Sequence, residues 1–372
     1  MFKKGLIYVV AICVLLTFCV GACNIGVENG ISVEDITVLQ MTGTEGYKIL
    51  TVADTHFTNE GSAEDASMFA RFDVLVAETA PDLIIIDGDV TYDTNKRIAA
   101  LTVLGNHMDT YEVPWTMVFG NHDTEKVGLI TPVSSMEEFE MKREEQSQLL
   151  KTAFQYCVYQ DTENLYGNGT TVYNIKNSTG EIVHSLFFFE SGDYMREEDY
   201  EYDFVSEELE YTNIPVNYSF VHPEQIEWYS EMVDVIADGG EVINSSAFMH
   251  IPFPEYKTAW ELYAAEGNND TVQLIDGYLE DALSVSKVNS GLFTVMKEKN
   301  STTNVFVGHD HANDFNLLYE GIHLNYIGGI KLITYPSVDD SVMLSLMGGR
   351  VLTIAEDGTV TNEKIYIDDI VE

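Results

Sequence analysis

Cysteine is scarce in this chain and badly placed for cross-linking. Of its four cysteines, Cys13, Cys19 and Cys23 lie near the N-terminus, leaving Cys157 alone in the remainder. A lone thiol cannot close an internal disulfide, and none of the metal-ligand patterns below contains a cysteine. That argues against a disulfide scaffold and a thiolate metal site, and leaves Cys157 as a small buried residue, expected in a helix. Basic residues are also few: 19 Lys and Arg stand against 61 Asp and Glu, a formal net charge of −42. A chain of that sign repels nucleic-acid phosphates, so neither a nucleic-acid partner nor a non-specific nuclease is expected. The charge reads as a solubility feature, and it favours a small or weakly charged ligand over a polyanion.

What is present begins with an apolar N-terminus. Lys3 and Lys4 precede Gly5–Val20, which is almost wholly apolar, and Val20-Gly21-Ala22-Cys23 follows. This order of basic, apolar and small residues reads as an export signal. Small residues before a cysteine resemble a bacterial lipoprotein processing site, with Cys23 becoming a lipidated first residue that ties the protein to the cell membrane. Ordinary cleavage after Ala22, giving a secreted protein, and an uncleaved anchor are the rival readings. The run is short of the ~20 residues a full span needs, which favours cleavage. Asn-x-Ser/Thr triplets at Asn168, Asn177, Asn217, Asn244, Asn269 and Asn300 are read as chance occurrences in a chain that starts this way.

The 372 residues and 45% apolar content allow one large core. Residues 1–22 form the signal, 23–45 are polar, unpatterned and read as a tether, and 46–372 form one domain. Apolar runs predict strands at Tyr47–Val52, Leu83–Ile86, Trp115–Phe119, Val183–Phe189, Ser246–Met249 and Asn304–Val307. Helices are expected at Asp65–Ala80, closed by Pro81, at Glu137–Tyr156 and at Pro223–Ala237, with proline in its first turn. Short strands follow Asp314: Ile322–Tyr326, Leu332–Tyr335, Val351–Ile354 and Lys364–Ile367. Alternating strands and helices indicate an α/β sheet with a site at its carboxyl edge. Tyr194–Tyr211, dense in Glu, Asp and Tyr, reads as a solvated insertion, with a lip over the pocket as the lesser alternative.

Five short motifs sit at the ends of these strands: Asp54-Thr55-His56, Gly88-Asp89, Gly120-Asn121-His122-Asp123, His250, and Gly308-His309-Asp310-His311. Singly, each has a bland explanation as a turn, a helix cap or a core histidine. In this order they supply carboxylate, imidazole and amide donors on rigid positions, as a pair of metal ions requires. Gly105-Asn106-His107-Met108 imitates the third motif, but Ile98, Leu101, Leu104 and Met108 have helical spacing, so His107 is assigned to a helix. His184, His222 and His323 fit no motif and are expected to be structural.

The five motifs resemble those of the calcineurin-like metallophosphoesterases, and the resemblance runs from about Tyr47 to Ile367. His250-Ile251-Pro252-Phe253-Pro254-Glu255-Tyr256 looks like the branch related to purple acid phosphatases. The resemblance implies a four-layer αββα sandwich, two β-sheets flanked by helices, holding two divalent or trivalent ions (Mn, Fe or Zn). Carried over by position, Asp54, His56, Asp89 and His311 would hold one ion, and Asp89, Asn121, His250 and His309 the other. His122 would be the catalytic acid. Tyr92 matches a metal-binding tyrosine of the purple enzymes, but those lack a histidine in the first motif, so His56 is expected to be the ligand and Tyr92 a packing or outer residue. Relatives orient the catalytic histidine with an Asp three residues after the bridging one; here the Asp is at the fourth, Asp93. The implied activity is hydrolysis of phosphoric esters by a metal-bridging hydroxide, with a small phosphoester as substrate. A phosphodiesterase or pyrophosphatase on the same site, and a non-catalytic metal-binding surface protein, are the alternatives.

Overall fold

The computed structural model describes residues 33–92, 96–125, 135–211, 216–333 and 337–371. Its central strands are largely apolar because they are buried on both faces. In β2 (Tyr47–Val52), Leu50 and Val52 point to one side and Ile49 to the other. In β3 (Leu83–Asp87), Ile84 and Ile86 share the first side, Leu83 and Ile85 the second. β1 (Thr37–Gln40), β4 (Trp115–Val118), β5 (Thr171–Lys176), β6 (Ile182–Phe188), β7 (Ser245–Phe248), β8 (Val272–Leu279), β9 (Thr302–Val307), β10 (Asn313–Tyr319), β11 (Ile322–Tyr326), β12 (Gly348–Ile354) and β13 (Val360–Tyr366) complete two sheets. One sheet has the order β1-β5-β6-β7-β9-β11-β10-β8, the other β13-β12-β2-β3-β4.

The sheets pack face to face through Ile49, Ile85, Val118, Leu186, Phe188, Phe248, Phe306 and Leu352. Outside the smaller sheet lie α1 (Ala63–Thr79) and α2 (Arg97–Asp109), which bury Met68, Phe72, Leu101 and Leu104 on it, and α3 (Met136–Ala153), which adds Leu150. Outside the larger sheet, α4 (Pro223–Ala237), α5 (Glu255–Glu266) and α6 (Leu292–Lys299) contribute Tyr229, Met232, Tyr256 and Met296. Two short helices, α7 (Asp340–Leu346) and α8 (Ile367–Val371), flank β12 and β13. Two sheets flanked by helices is the architecture expected. Helix ends follow local chemistry: the Ser62 hydroxyl accepts from the Asp65 N–H and starts α1, and left-handed Ala80 before Pro81 ends it.

Several expectations need correction. The tether does not extend to residue 45: Thr37–Gln40 pairs in parallel with β5, and Leu39 and Met41 enter the core between the sheets. Residues 1–32 lie outside the described residues, and among those described no helix is long and apolar enough to cross a membrane. Cys157 is not helical; α3 ends at Ala153, and Cys157 bridges Trp115 at the edge of the smaller sheet, half-buried. Leu332 and Ile333 are irregular rather than strand, and 334–336 lie outside the described residues. β5, β8, β10 and α5 were not anticipated, because their buried and exposed positions carry mixed polar and apolar residues.

Candidate metal centre

Parallel pairing places the carboxyl ends of β2, β3 and β4 side by side, and likewise those of β6, β7, β9 and β11. Asp54, Asp89 and Asn121 leave the first group and His250 and His309 the second, so both sheets empty into one site. The turns are tight. Asp54, His56, Asp89 and His309 all have positive φ, at 56°, 40°, 48° and 79°. Non-glycine residues pay ~1–3 kcal/mol for such conformations, and clusters of them mark functional sites. Backbone bonds hold the turns in register: Asp54 N–H to Gly88 O at 3.1 Å and His56 N–H to Asp89 O at 2.9 Å. Lys331, itself buried, donates to His56 O at 2.7 Å and to Asp65 at 2.6 Å. Glycine is needed where the turns touch: a Cβ at Gly88 would lie 2.2 Å from His250 Nδ1, and one at Gly120 would lie 2.2 Å from Asp89 Oδ1.

Asp54, His56, Asp89 and His311 bring donor atoms within 4.8 Å of one another, as do Asp89, His250 and His309, and either group could hold a metal ion. Asp89 belongs to both. Its Oδ2 lies 3.4 Å from His56 Nε2 and 3.1 Å from His250 Nε2, while Oδ1 accepts from the His122 N–H at 2.8 Å. His250 Nδ1 faces Asp87 O at 2.9 Å, which leaves Nε2 turned inward. Both ring nitrogens of His56 and of His309, Asp89 Oδ2, Asn121 Oδ1 and His250 Nε2 are buried without a hydrogen bond. Leaving one such group unmatched costs ~1–3 kcal/mol. So many converging on one point fit a site that cations complete, and the N and O donor set suits Mn, Fe or Zn without selecting among them.

The electrostatics agree. Burial works to raise the pKa of Asp54, yet His311, His56 and His250 hold it below the usual carboxylate range. Asp89 is likewise lowered against burial by His250, His122 and His56. Burial disfavours charge on His56 and His250, but these two carboxylates override it and push them up to about 9 and about 10. His309 is lowered to about 3 by burial and by neighbouring His250, and His311 is lowered by burial, so both favour the neutral form that binds metals.

A family model for calcineurin-like phosphoesterases matches residues 47–313, well over half of the chain. The chain belongs to the calcineurin-like phosphoesterase family. Among its relatives is a protein of Arabidopsis thaliana named probable inactive purple acid phosphatase 29, 25% identical over 317 residues, covering 78% of this chain and 73% of the relative. Phosphatase DCR2 of Saccharomyces cerevisiae is 25% identical over 297 residues, which cover 75% of this chain and 46% of that protein. A dimetal phosphatase from Danio rerio shares the fold at a TM-score of 0.51 and 13% identity, covering 87% of this chain and 97% of its own. The branch reading thus stands: relatives carry the purple acid phosphatase name.

Within this family site, the structure brings Asp54, His56, Asp89, His250, His309 and His311 together, with Asn121 buried and its amide donating to Glu125, and His122 at the rim, 18% exposed. The imitation motif is elsewhere: His107 lies in α2 beside Asp73 and Tyr111. His184 bonds Ser246, His222 stacks on Tyr166, and His323 meets Asn316, as expected of structural histidines. Tyr92 packs its ring 5.1 Å from His56 and 5.0 Å from His122, and Asp93 lies outside the described residues.

Sequence reasoning missed the supports. Glu125 Oε2 sits 2.5 Å from His122 Nδ1, and its Oε1 accepts from the Tyr194 hydroxyl at 2.7 Å and the Asn121 amide at 3.3 Å. The spacing of three residues from His122 was the only local signal for Glu125. Tyr218 places its ring 4.4 Å from His309, perpendicular to it, and stacks on Tyr194. The acidic segment is therefore divided. Glu197, Glu198, Glu201, Glu207, Glu208 and Glu210 are exposed, whereas Tyr194 turns into the site and Met195, Arg196 and Asp199 are buried.

Proposed function

We propose that this protein is an exported, lipid-anchored hydrolase of phosphoric esters that works with two bound metal ions. The observation that carries the reading is the ring of buried, unbonded donors around Asp89 Oδ2, at the point where two carboxyl edges meet. Asp54, His56, Asp89 and His311 would hold one ion; Asp89, Asn121, His250 and His309 would hold the other. When bound, such a pair supplies a nucleophile from water at neutral pH and neutralises charge on the phosphoryl oxygens. The protein's part is to fix those donors through the strained turns after β2, β3 and β9, and to provide the acid. His122 Nε2, 3.8 Å from Asp89 Oδ2 on a half-buried ring, protonates the departing oxygen. Export and anchoring rest on Lys3, Lys4, the apolar run and Cys23.

A second reading, a non-catalytic metal-binding surface protein, draws on relatives named as probable inactive phosphatases. Against it stands the unbroken donor set, with His122 beside it. The test is hydrolysis of p-nitrophenyl phosphate and its bis ester by protein stripped and reloaded with manganese, iron or zinc. Metal-dependent turnover supports the hydrolase, and the preferred ester separates monoesterase from diesterase or pyrophosphatase-like use of the site. Substitution His122→Ala is expected to lower turnover ~10²- to 10⁴-fold with metal content unchanged. Two bound ions with no turnover of any ester would favour the non-catalytic reading.

A further inference from the structure

We propose that Glu125 is the positioning residue for His122, and that Tyr194, reaching in from the acidic segment, fixes Glu125 in turn. The inference rests on the phosphoesterase reading above and adds a part to it. Glu125 is buried, and both of its carboxylate oxygens are committed: Oε2 to His122 Nδ1 at 2.5 Å, Oε1 to Tyr194 Oη at 2.7 Å and Asn121 Nδ2 at 3.3 Å. A carboxylate oxygen accepts, so Nδ1 carries a hydrogen and the opposite nitrogen, Nε2, is aimed at the pocket. Other acidic groups nearby are engaged elsewhere. Asp123 accepts from the backbone of Val90, Thr91 and Gly120, and Asp89 serves both donor groups. Arg97 donates to the carbonyls of His122 and Glu125 at 3.0 and 3.1 Å, which anchors this turn as a unit.

The arrangement has a chemical consequence. As the oxygen of water bonds to phosphorus and releases a proton to solvent, the ester phosphorus–oxygen bond breaks; its electron pair stays on the departing oxygen, which takes the proton from Nε2. The hydrogen on Nδ1 stays shared with Glu125, and solvent returns a proton to Nε2 after the alcohol leaves. An acid held this way matters most for esters whose departing oxygen is strongly basic. It matters least for those whose leaving group departs as a stable anion.

The test compares phenyl phosphate with 2,4-dinitrophenyl phosphate in wild type, Glu125→Gln, Tyr194→Phe and His122→Ala, with metal content and unfolding measured for each. Glu125→Gln should lower kcat on phenyl phosphate about 10- to 100-fold, and Tyr194→Phe about threefold; in both the loss on the dinitrophenyl ester should be clearly smaller. Glu125→Gln should add nothing in the His122→Ala background, since residues acting as one unit are not additive. A readout independent of turnover is the ¹H–¹⁵N histidine spectrum of the zinc-loaded protein. A far-downfield Nδ1 proton of His122 should be present in wild type and lost in Glu125→Gln. Equal losses on both esters, additivity with His122→Ala, or absence of that proton in wild type would each overturn the proposal. Should no ester be turned over by wild type, the phosphoesterase reading fails, and the proton signal still decides whether Glu125 holds His122.

Discussion

Gly120→Ala separates steric crowding from backbone strain. Gly120 has φ −111° and ψ 179°, an extended conformation that alanine adopts freely, so the backbone itself imposes no penalty. The added Cβ would lie 2.2 Å from Asp89 Oδ1, 2.4 Å from Asp89 N and 2.7 Å from His250 Cδ2. Comfortable contacts are ~3.5 Å, so more than 1 Å of overlap must be relieved. One of the obstructing atoms is backbone, and Asp89 is in a strained turn held by His56 N–H, so a rotamer change cannot relieve it. Overpacking of this kind costs ~1–3 kcal/mol, a sizeable part of the ~5–15 kcal/mol that domains have. It should appear as a loss of a few degrees in the metal-free transition midpoint. Moving Asp89 also disturbs the one carboxylate common to both donor groups, so metal uptake should fall from two ions to one or none. Calorimetry of the metal-free protein and elemental analysis of the reloaded protein read the two effects separately. A midpoint within about 1 °C of wild type, with both ions retained, would refute the close approach on which the argument rests.

Acid should destabilise the protein through buried histidines remote from the metal centre. Burial lowers His184 to about 3, and burial together with Arg196 lowers His222 to about 3. Each is then protonated first in the unfolded chain, so its contribution is complete above the ordinary value of ~6.5 and is lost as pH falls from there towards 3, by up to ~1.4 kcal/mol per pH unit. Glu190 and Asp199, raised by burial to about 7 and about 6, act in the opposite sense. The difference in urea stability between wild type and His184→Gln at pH 5 and pH 7 therefore isolates His184; an unchanged pH slope in the variant would contradict the assignment. Arg143 is fully buried, its Nε 2.9 Å from Glu190, its Nη2 donating to Gly120 O at 2.9 Å, and its guanidinium over Phe119 and Phe139. Arg143→Ala strands the Glu190 carboxyl and should cost ~3–5 kcal/mol in chemical denaturation, and a loss under ~1 kcal/mol would show the pair to be incidental.

Much of this architecture was legible because its strands are buried on both faces and end in short polar turns. Leu83–Ile86 and Val305–Val307 have no exposed side, so their sequences read as apolar runs whatever surrounds them, and the donors that follow stand out. The edge strand β8 has one face against the core and another carrying exposed Ile275 and Tyr278, and its pattern names no element. The same limit applied at the site. Asp54, Asp89, His250 and His309 announce themselves by residue type and position after a strand. Nothing local records that their turns need positive φ, or that Gly88 and Gly120 leave room for His250 and Asp89.

The amino-acid sequence by itself determined the candidate donors, their order along the chain and the alternation of strands and helices, since these depend on side-chain chemistry and on periodicity within a few residues. Tertiary structure alone decided which groups support them. Glu125 meets Tyr194, 69 positions further along the chain, Lys331 reaches back to His56, and Tyr218 lands on His309. Those meetings follow from how strands pair and where insertions fold back, and a hydrogen bond between distant residues leaves no periodic trace in either segment.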